Sequence, residues 1–166
     1  MPDLSAIVKA YDIRGVVGEQ LDSGVVRDFG AAFAVFVSSS TSPGSTSPGA
    51  VVVGYDMRDS SPGLADAFAE GVTGRGLDVI SIGLASTDML YFASGRLALP
   101  GAMFTASHNP ARYNGIKLCL AGAAPVGQDS GLEDIRAAVE RGIAPGPGGG
   151  SVTERNMLAD YAGYLR

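Results

Sequence analysis

The 166 residues carry 12 Lys and Arg against 17 Asp and Glu, one His, one Cys and no Trp, for a formal charge of −5 at pH 7. That length is ample for one domain with its own core, and the acidic balance excludes a general binder of phosphate backbones, so no nucleic acid partner is expected. The N-terminus lacks a basic segment followed by an apolar one, and no apolar run is long enough to span a bilayer. With a lone Cys119 in an apolar stretch, the expectation is a soluble, cytoplasmic protein in a reducing compartment, with no membrane partner.

In chain order, the first cluster is Lys9-Ala10-Tyr11-Asp12-Ile13-Arg14-Gly15. Arg14 beside a glycine either presents its planar fork to a phosphate or pairs with Asp12 or Glu19. Val25, Val26, Phe29, Ala32, Phe33 and Phe36 recur at helical spacing, so residues 23–37 are predicted as an amphipathic helix capped by Ser23. Residues 38–49, rich in Ser, Thr, Pro and Gly, have nothing to bury and read as a mobile loop. The β-branched run at 50–55 is the pattern of an interior strand. It ends at Asp56-Met57-Arg58, just before the Ser61-Pro62 helix start, where ligands of open α/β sheets collect. Bracing of that turn by Arg58 to Asp56 or Asp59 is the favoured role for this side chain, ahead of substrate contact. A strand at 77–84 follows, then a helix to about residue 97 capped by Ser86-Thr87-Asp88.

The apolar run at 98–104 leads into Thr105-Ala106-Ser107-His108-Asn109-Pro110, and Tyr113-Asn114-Gly115-Ile116-Lys117 enters a second strand at 116–121. A hydroxyl, the one histidine, an amide and a lysine thus share a loop between two strands, where chemistry is usually placed, although Asn-Pro and Asn-Gly also mark a plain polar turn. Cys119 reads as a core residue, since apolar neighbours disfavour its thiolate. A helix at 130–141 stops at Gly142. Residues 144–150 read as a Pro/Gly linker, and 153–166 as a helix opened by Thr153 and Glu154. Strands alternating with helices give an α/β layered domain with a mixed central sheet flanked by helices.

The Thr105 to Pro110 stretch with Asn114-Gly115-Ile116-Lys117 resembles the active-site loop of the α-D-phosphohexomutases, the phosphoglucomutase and phosphomannomutase superfamily. Tyr11-Asp12-Ile13-Arg14-Gly15 is similar to the N-terminal motif of its phosphomannomutase/phosphoglucomutase branch. Residues 54–60 resemble the segment after the second core strand. Residues 83–87 resemble a Gly-x-x-x-Thr segment, with Asp88 where a proline is usual. The resemblance implies the first of four domains: residues 1–143 as the catalytic-serine domain, 144–152 as a linker, and 153–166 as a helix leading to a second domain.

It further implies a phosphotransferase that interconverts hexose 1-phosphate and 6-phosphate through a phosphoserine and a bisphosphate intermediate. Ser107 matches the phosphoryl carrier and, through its phosphate, one ligand of Mg2+. Lys117 matches the general acid or base, and Arg14 a holder of the phosphoryl group or of Lys117. His108 matches a positioning or proton-transferring group, and Tyr11 and Asn109 substrate contacts. The partners expected are hexose phosphate, hexose bisphosphate and the C-terminal domains of the same enzyme. Those domains would supply the remaining metal carboxylates, and the lone domain would show little activity. Two other classes stay open: a non-catalytic module docking a partner through its C-terminal helix, and a small phosphatase using Ser107.

Overall fold

The computed structural model describes residues 3–39 and 49–165; most of the Ser/Thr/Pro/Gly stretch expected as a loop, residues 40–48, lies outside them. The elements are β1 (Ile13–Val16), α1 (Ser23–Ser39), β2 (Ala50–Tyr55), α2 (Ser61–Gly74), β3 (Asp78–Leu84), α3 (Thr87–Leu97), β4 (Gly101–Phe104), β5 (Tyr113–Leu120), β6 (Ala124–Pro125), α4 (Leu132–Arg141), β7 (Val152–Glu154) and α5 (Leu158–Tyr164). The strands form one seven-stranded sheet in the order β1-β5-β4-β2-β3-β7, with β6 beside β5. β4, β2, β3 and β7 run parallel, while β5 is antiparallel to both β4 and β1. The mixed sheet flanked by helices is the architecture expected from the sequence.

Two cores cover the two faces. Val51 and Val53 of β2 face one way, into the core built with Phe29 and Phe33 of α1, Phe68 of α2 and Ile135 of α4. Val52, between them, faces the other way, toward Leu90 and Ala93 of α3 and Met157 before α5. This period of two is what a strand buried on both sides requires. Phe68 meets Phe104 edge to face at 5.5 Å between centroids, which ties α2 to β4 directly below the 105–112 loop. α1 and α2 cross at glycines: a Cβ on Gly30 would collide with the Phe68 carbonyl, and one on Gly71 with the Arg27 carbonyl. Among the described residues no helix is long and apolar enough to cross a membrane.

Several elements differ from the expectation. The cap of α1 is Asp22, whose Oδ1 accepts the Val25 N–H at 2.8 Å, so Ser23 is already inside the helix. Residues 13–16, read from sequence only as a charged cluster, form edge strand β1. The 144–150 stretch, read from sequence as a Pro/Gly linker, is laid against α2. The Gly148 N–H donates to Gly74, Arg75 Nη1 donates to Ala144, and a Cβ on Gly146 or Gly150 would strike backbone there. Thr153 and Glu154 do not open a helix: they lie in β7, parallel to β3, and the helix begins at Leu158. Backbone pairing with β3 outweighs the weak local capping signal. α5 sits on α3 through Phe92, whose ring is 5.5 Å from Tyr161 and 5.0 Å from Tyr164.

Candidate active site

The loop between β4 and β5 emerges at the carboxyl end of β4, next to the carboxyl end of β2, where the Asp56 N–H donates to the Phe104 carbonyl at 3.0 Å. Phe104 and Ala106 are buried, and Thr105 is 7% exposed, so the loop leaves a rigid base. Its chain then turns outward: Ser107 and His108 are exposed and Asn109 is half-buried. Ser107 is held in the left-handed region at φ +54°. For a residue with a Cβ that costs about 1–2 kcal/mol, and it persists only where the surroundings over-determine it. The Ser107 N–H donates to Thr105 Oγ1 at 3.1 Å, and Asn109 Nδ2 donates to the Ala106 carbonyl at 2.8 Å. His108 makes no side-chain hydrogen bond with the described residues.

Arg14 and Lys117 meet on the adjoining strands. β1 pairs with β5 so that Ile13 faces Ile116 and Arg14 faces Gly115, which sets Asp12 level with Lys117. Asp12, 4% exposed, lies between the two cations. Its Oδ2 accepts from Arg14 Nη2 at 2.9 Å and is 3.8 Å from Lys117 Nζ. The pairing of Arg14 with Asp12 left open by the sequence is therefore formed. A buried carboxylate shared by two cations fixes both heads. Arg14 and Asn109 line one cavity of about 450 Å3, together with Lys9, Gln20 and Arg112. Tyr11 is 78% exposed and lies against Gly127, outside this network. Lys117 pairs with Met103, four positions before Ser107. No hydrogen bond among the described residues joins Ser107 with Lys117.

The sequence reading missed how Arg58 is used. Besides Asp56, it reaches the loop itself. Nη1 donates to the carbonyls of Pro110 at 2.8 Å and Tyr113 at 3.1 Å. Nη2 donates to those of Ser107 at 2.9 Å and Asn109 at 2.8 Å. Nε, sealed from solvent, faces Asp56 Oδ2 at 3.4 Å without the alignment of a hydrogen bond. Asp56 Oδ1 accepts from the Ser61 hydroxyl at 2.7 Å, and Asn114 Nδ2 donates to Ser61 Oγ at 2.9 Å. A closed ring thus runs from β5 through the start of α2 and the end of β2 back to the loop. An arginine at a strand's end, just before a helix start, was the available signal. Its partners lie 49 to 55 positions away, beyond any local pattern.

Among the described residues no group of three or more His, Cys, Asp or Glu could hold a metal ion. The residues present therefore do not make up a metal centre on their own.

Comparison with known proteins gives consistent likenesses. Residues 5–144 match the family description "Phosphoglucomutase/phosphomannomutase, alpha/beta/alpha domain I". A phosphomannomutase of Escherichia coli is 38% identical over 161 residues, covering 95% of this chain and 33% of that protein. One from Klebsiella pneumoniae is 41% identical over 138 residues, 82% of each. A solved phosphoglucomutase/phosphomannomutase family protein from Burkholderia thailandensis superposes with a TM-score of 0.82 at 36% identity, over 97% of this chain and 35% of that one. A putative phosphomannomutase from Thermus thermophilus gives 0.79 at 28% identity, over 95% and 34%. The chain spans about a third of the length of the Escherichia coli relative and of both solved structures.

Proposed function

The chain belongs to the phosphoglucomutase/phosphomannomutase family as its first α/β/α domain, and from that membership we propose that it is the catalytic-serine domain of a hexose phosphate mutase. The observation that carries the reading is Ser107: an exposed hydroxyl held at φ +54° on a loop braced from below, a few residues along β4 from a lysine on the neighbouring strand.

In the proposed reaction Ser107 Oγ starts as a phosphoryl ester. A hydroxyl of a bound hexose phosphate attacks the phosphorus in line, the bond from phosphorus to Ser107 Oγ breaks, and the sugar becomes a bound bisphosphate. The attacking hydroxyl gives its proton to the His108 imidazole, and the Lys117 ammonium, placed as an acid, protonates Ser107 Oγ as it leaves. In the second half Ser107 Oγ gives its proton back to Lys117 as it attacks the other phosphate of the bisphosphate, and His108 returns its proton to the sugar oxygen that is released. Transfer of this kind depends on positioning and charge neutralisation more than on covalent assistance. Arg14, directed by Asp12, supplies a cation beside the loop, and Asn109 and Tyr11 bound the sugar. Exposed His108 has the freedom to move between a sugar oxygen and water.

Mg2+ would offset charge on the phosphoryl group. Ser107 offers it one oxygen through the phosphate, and since the described residues lack a carboxylate cluster, no step above is routed through the ion. On this reading residues 1–143 form the catalytic-serine domain, and the segment from 144 onward leads toward further domains that carry the acceptor and metal sites.

The experiment is intact-mass measurement after incubation with α-D-glucose 1,6-bisphosphate and Mg2+. One added phosphoryl group is expected on the native chain and none on Ser107→Ala. Label retained by Ser107→Ala would overturn the assignment.

A further inference from the structure

Resting on the reading of Ser107 as the phosphoryl carrier, we infer that Arg58 is the positioning residue of the 105–112 loop, fixing Ser107 in its left-handed conformation through the loop's own carbonyls. An arginine at the carboxyl edge of an α/β sheet has two obvious uses: to bind an anionic ligand, or to hold protein. Donor count separates them. A guanidinium has five N–H groups and no acceptor. All four terminal ones are spent on the carbonyls of Ser107, Asn109, Pro110 and Tyr113, at 2.8 to 3.1 Å. The fifth faces Asp56 and is closed to solvent. The side chain is only 12% exposed. Nothing remains to donate to a phosphate.

What it holds is the curvature of the loop. Four carbonyls within seven consecutive residues converge on one planar cation. Left to itself, a connection between two strands would turn such carbonyls to water. The fork of arginine imposes directions as well as distances, which a single ammonium cannot do. Ser107 is pinned on both sides, its N–H by Thr105 Oγ1 and its carbonyl by Arg58 Nη2. Those two bonds are the restraints on a residue that would otherwise relax out of positive φ. The seat of Arg58 is itself fixed, since Asp56 is bonded to Ser61, and Ser61 to Asn114. In-line transfer tolerates little displacement of the attacking oxygen, so loss of this clamp acts on rate rather than on donor affinity.

The test compares Arg58→Lys, which keeps the charge and the aliphatic stem, and Arg58→Ala with the native chain. One arm reads backbone chemical shifts of residues 105–113. The other reads the maximal rate and half-saturating concentration of Ser107 phosphorylation by α-D-glucose 1,6-bisphosphate. Expected for Arg58→Lys are shift changes concentrated in the loop and a fall in maximal rate of about a hundredfold, the order set by ångström-scale misplacement. Half-saturation should stay within about threefold. Added guanidinium chloride should restore part of the rate of Arg58→Ala. Native loop shifts in Arg58→Lys, or an unchanged maximal rate, would overturn the assignment. If the native chain takes no label, the reading of Ser107 fails separately, and the shift comparison alone decides whether Arg58 sets the loop.

Discussion

Ser107 joins three features that rarely coincide: solvent exposure, a positive φ, and hydrogen bonds on both of its own backbone groups. Exposure leaves the side chain open to solvent, and the strain held by neighbours fixes the backbone that carries it. The sequence announced this residue through its loop motif, whose polar groups sit close together in the chain. It was silent on how the loop is held, because Arg58 acts on carbonyls 49 to 55 positions away that only folding brings near. Cys119 gives the contrasting case of a nucleophilic atom with no access. It is wholly buried, and desolvation raises its thiol above the ordinary value of 9.0. The folded chain therefore keeps the proton that an unfolded cysteine gives up first. This favours the fold below pH about 9 and withdraws that support as pH climbs toward the higher folded value. We expect iodoacetamide at pH 8 to leave Cys119 unmodified in the native chain and to alkylate it fully once urea unfolds the protein. Rapid native-state labelling at a rate typical of a free thiol would contradict this placement.

At the level of elements, the helices were legible wherever a 3.6-residue apolar period ran for two or more turns, as in α1 and α4. The central strands were legible as β-branched runs. β1 was not, because its Ile-Arg-Gly-Val is too short and mixed to show an alternation, and its existence depends on the β5 edge. β7 was not, because all three of its residues are exposed and only backbone pairing with β3 makes it a strand. The α1–α2 contact is a joint where backbone meets backbone. At Gly71 two effects oppose each other. Alanine favours an isolated helix over glycine by about 1 kcal/mol. Here, however, its methyl group would meet the Arg27 carbonyl and the Ala31 nitrogen, backbone atoms that cannot swing aside. Overpacking costs about 1–3 kcal/mol, so the clash decides the sign. We expect Gly71→Ala to lower the unfolding midpoint, while Gly74→Ala, with open space around its Cβ position, should not. Equal midpoints for the two variants would show that the helices part without cost.

On the scale of the whole molecule, the site stands at the edge of one domain. Ser107, His108 and Tyr11 are exposed, and Arg14 and Asn109 line a cavity of about 450 Å3. A mutase cycle asks for more than a carrier serine. The bisphosphate must stay bound while it presents its second phosphate, and water must be kept from the phosphoryl group during both transfers. Nothing among the described residues walls off the loop, and no carboxylate cluster fixes a cation over it. A loop that meets the donor once, from one side, can complete the first transfer and then lose the sugar. We therefore expect phosphorylation of Ser107 without sustained turnover. In a coupled assay with glucose 1-phosphate, Mg2+ and one equivalent of α-D-glucose 1,6-bisphosphate as phosphoryl donor, formation of glucose 6-phosphate should stop at or below one equivalent of chain. Linear product formation over many equivalents, abolished by Ser107→Ala, would mean that this domain alone retains the intermediate, and that the open edge is closed by the substrate itself.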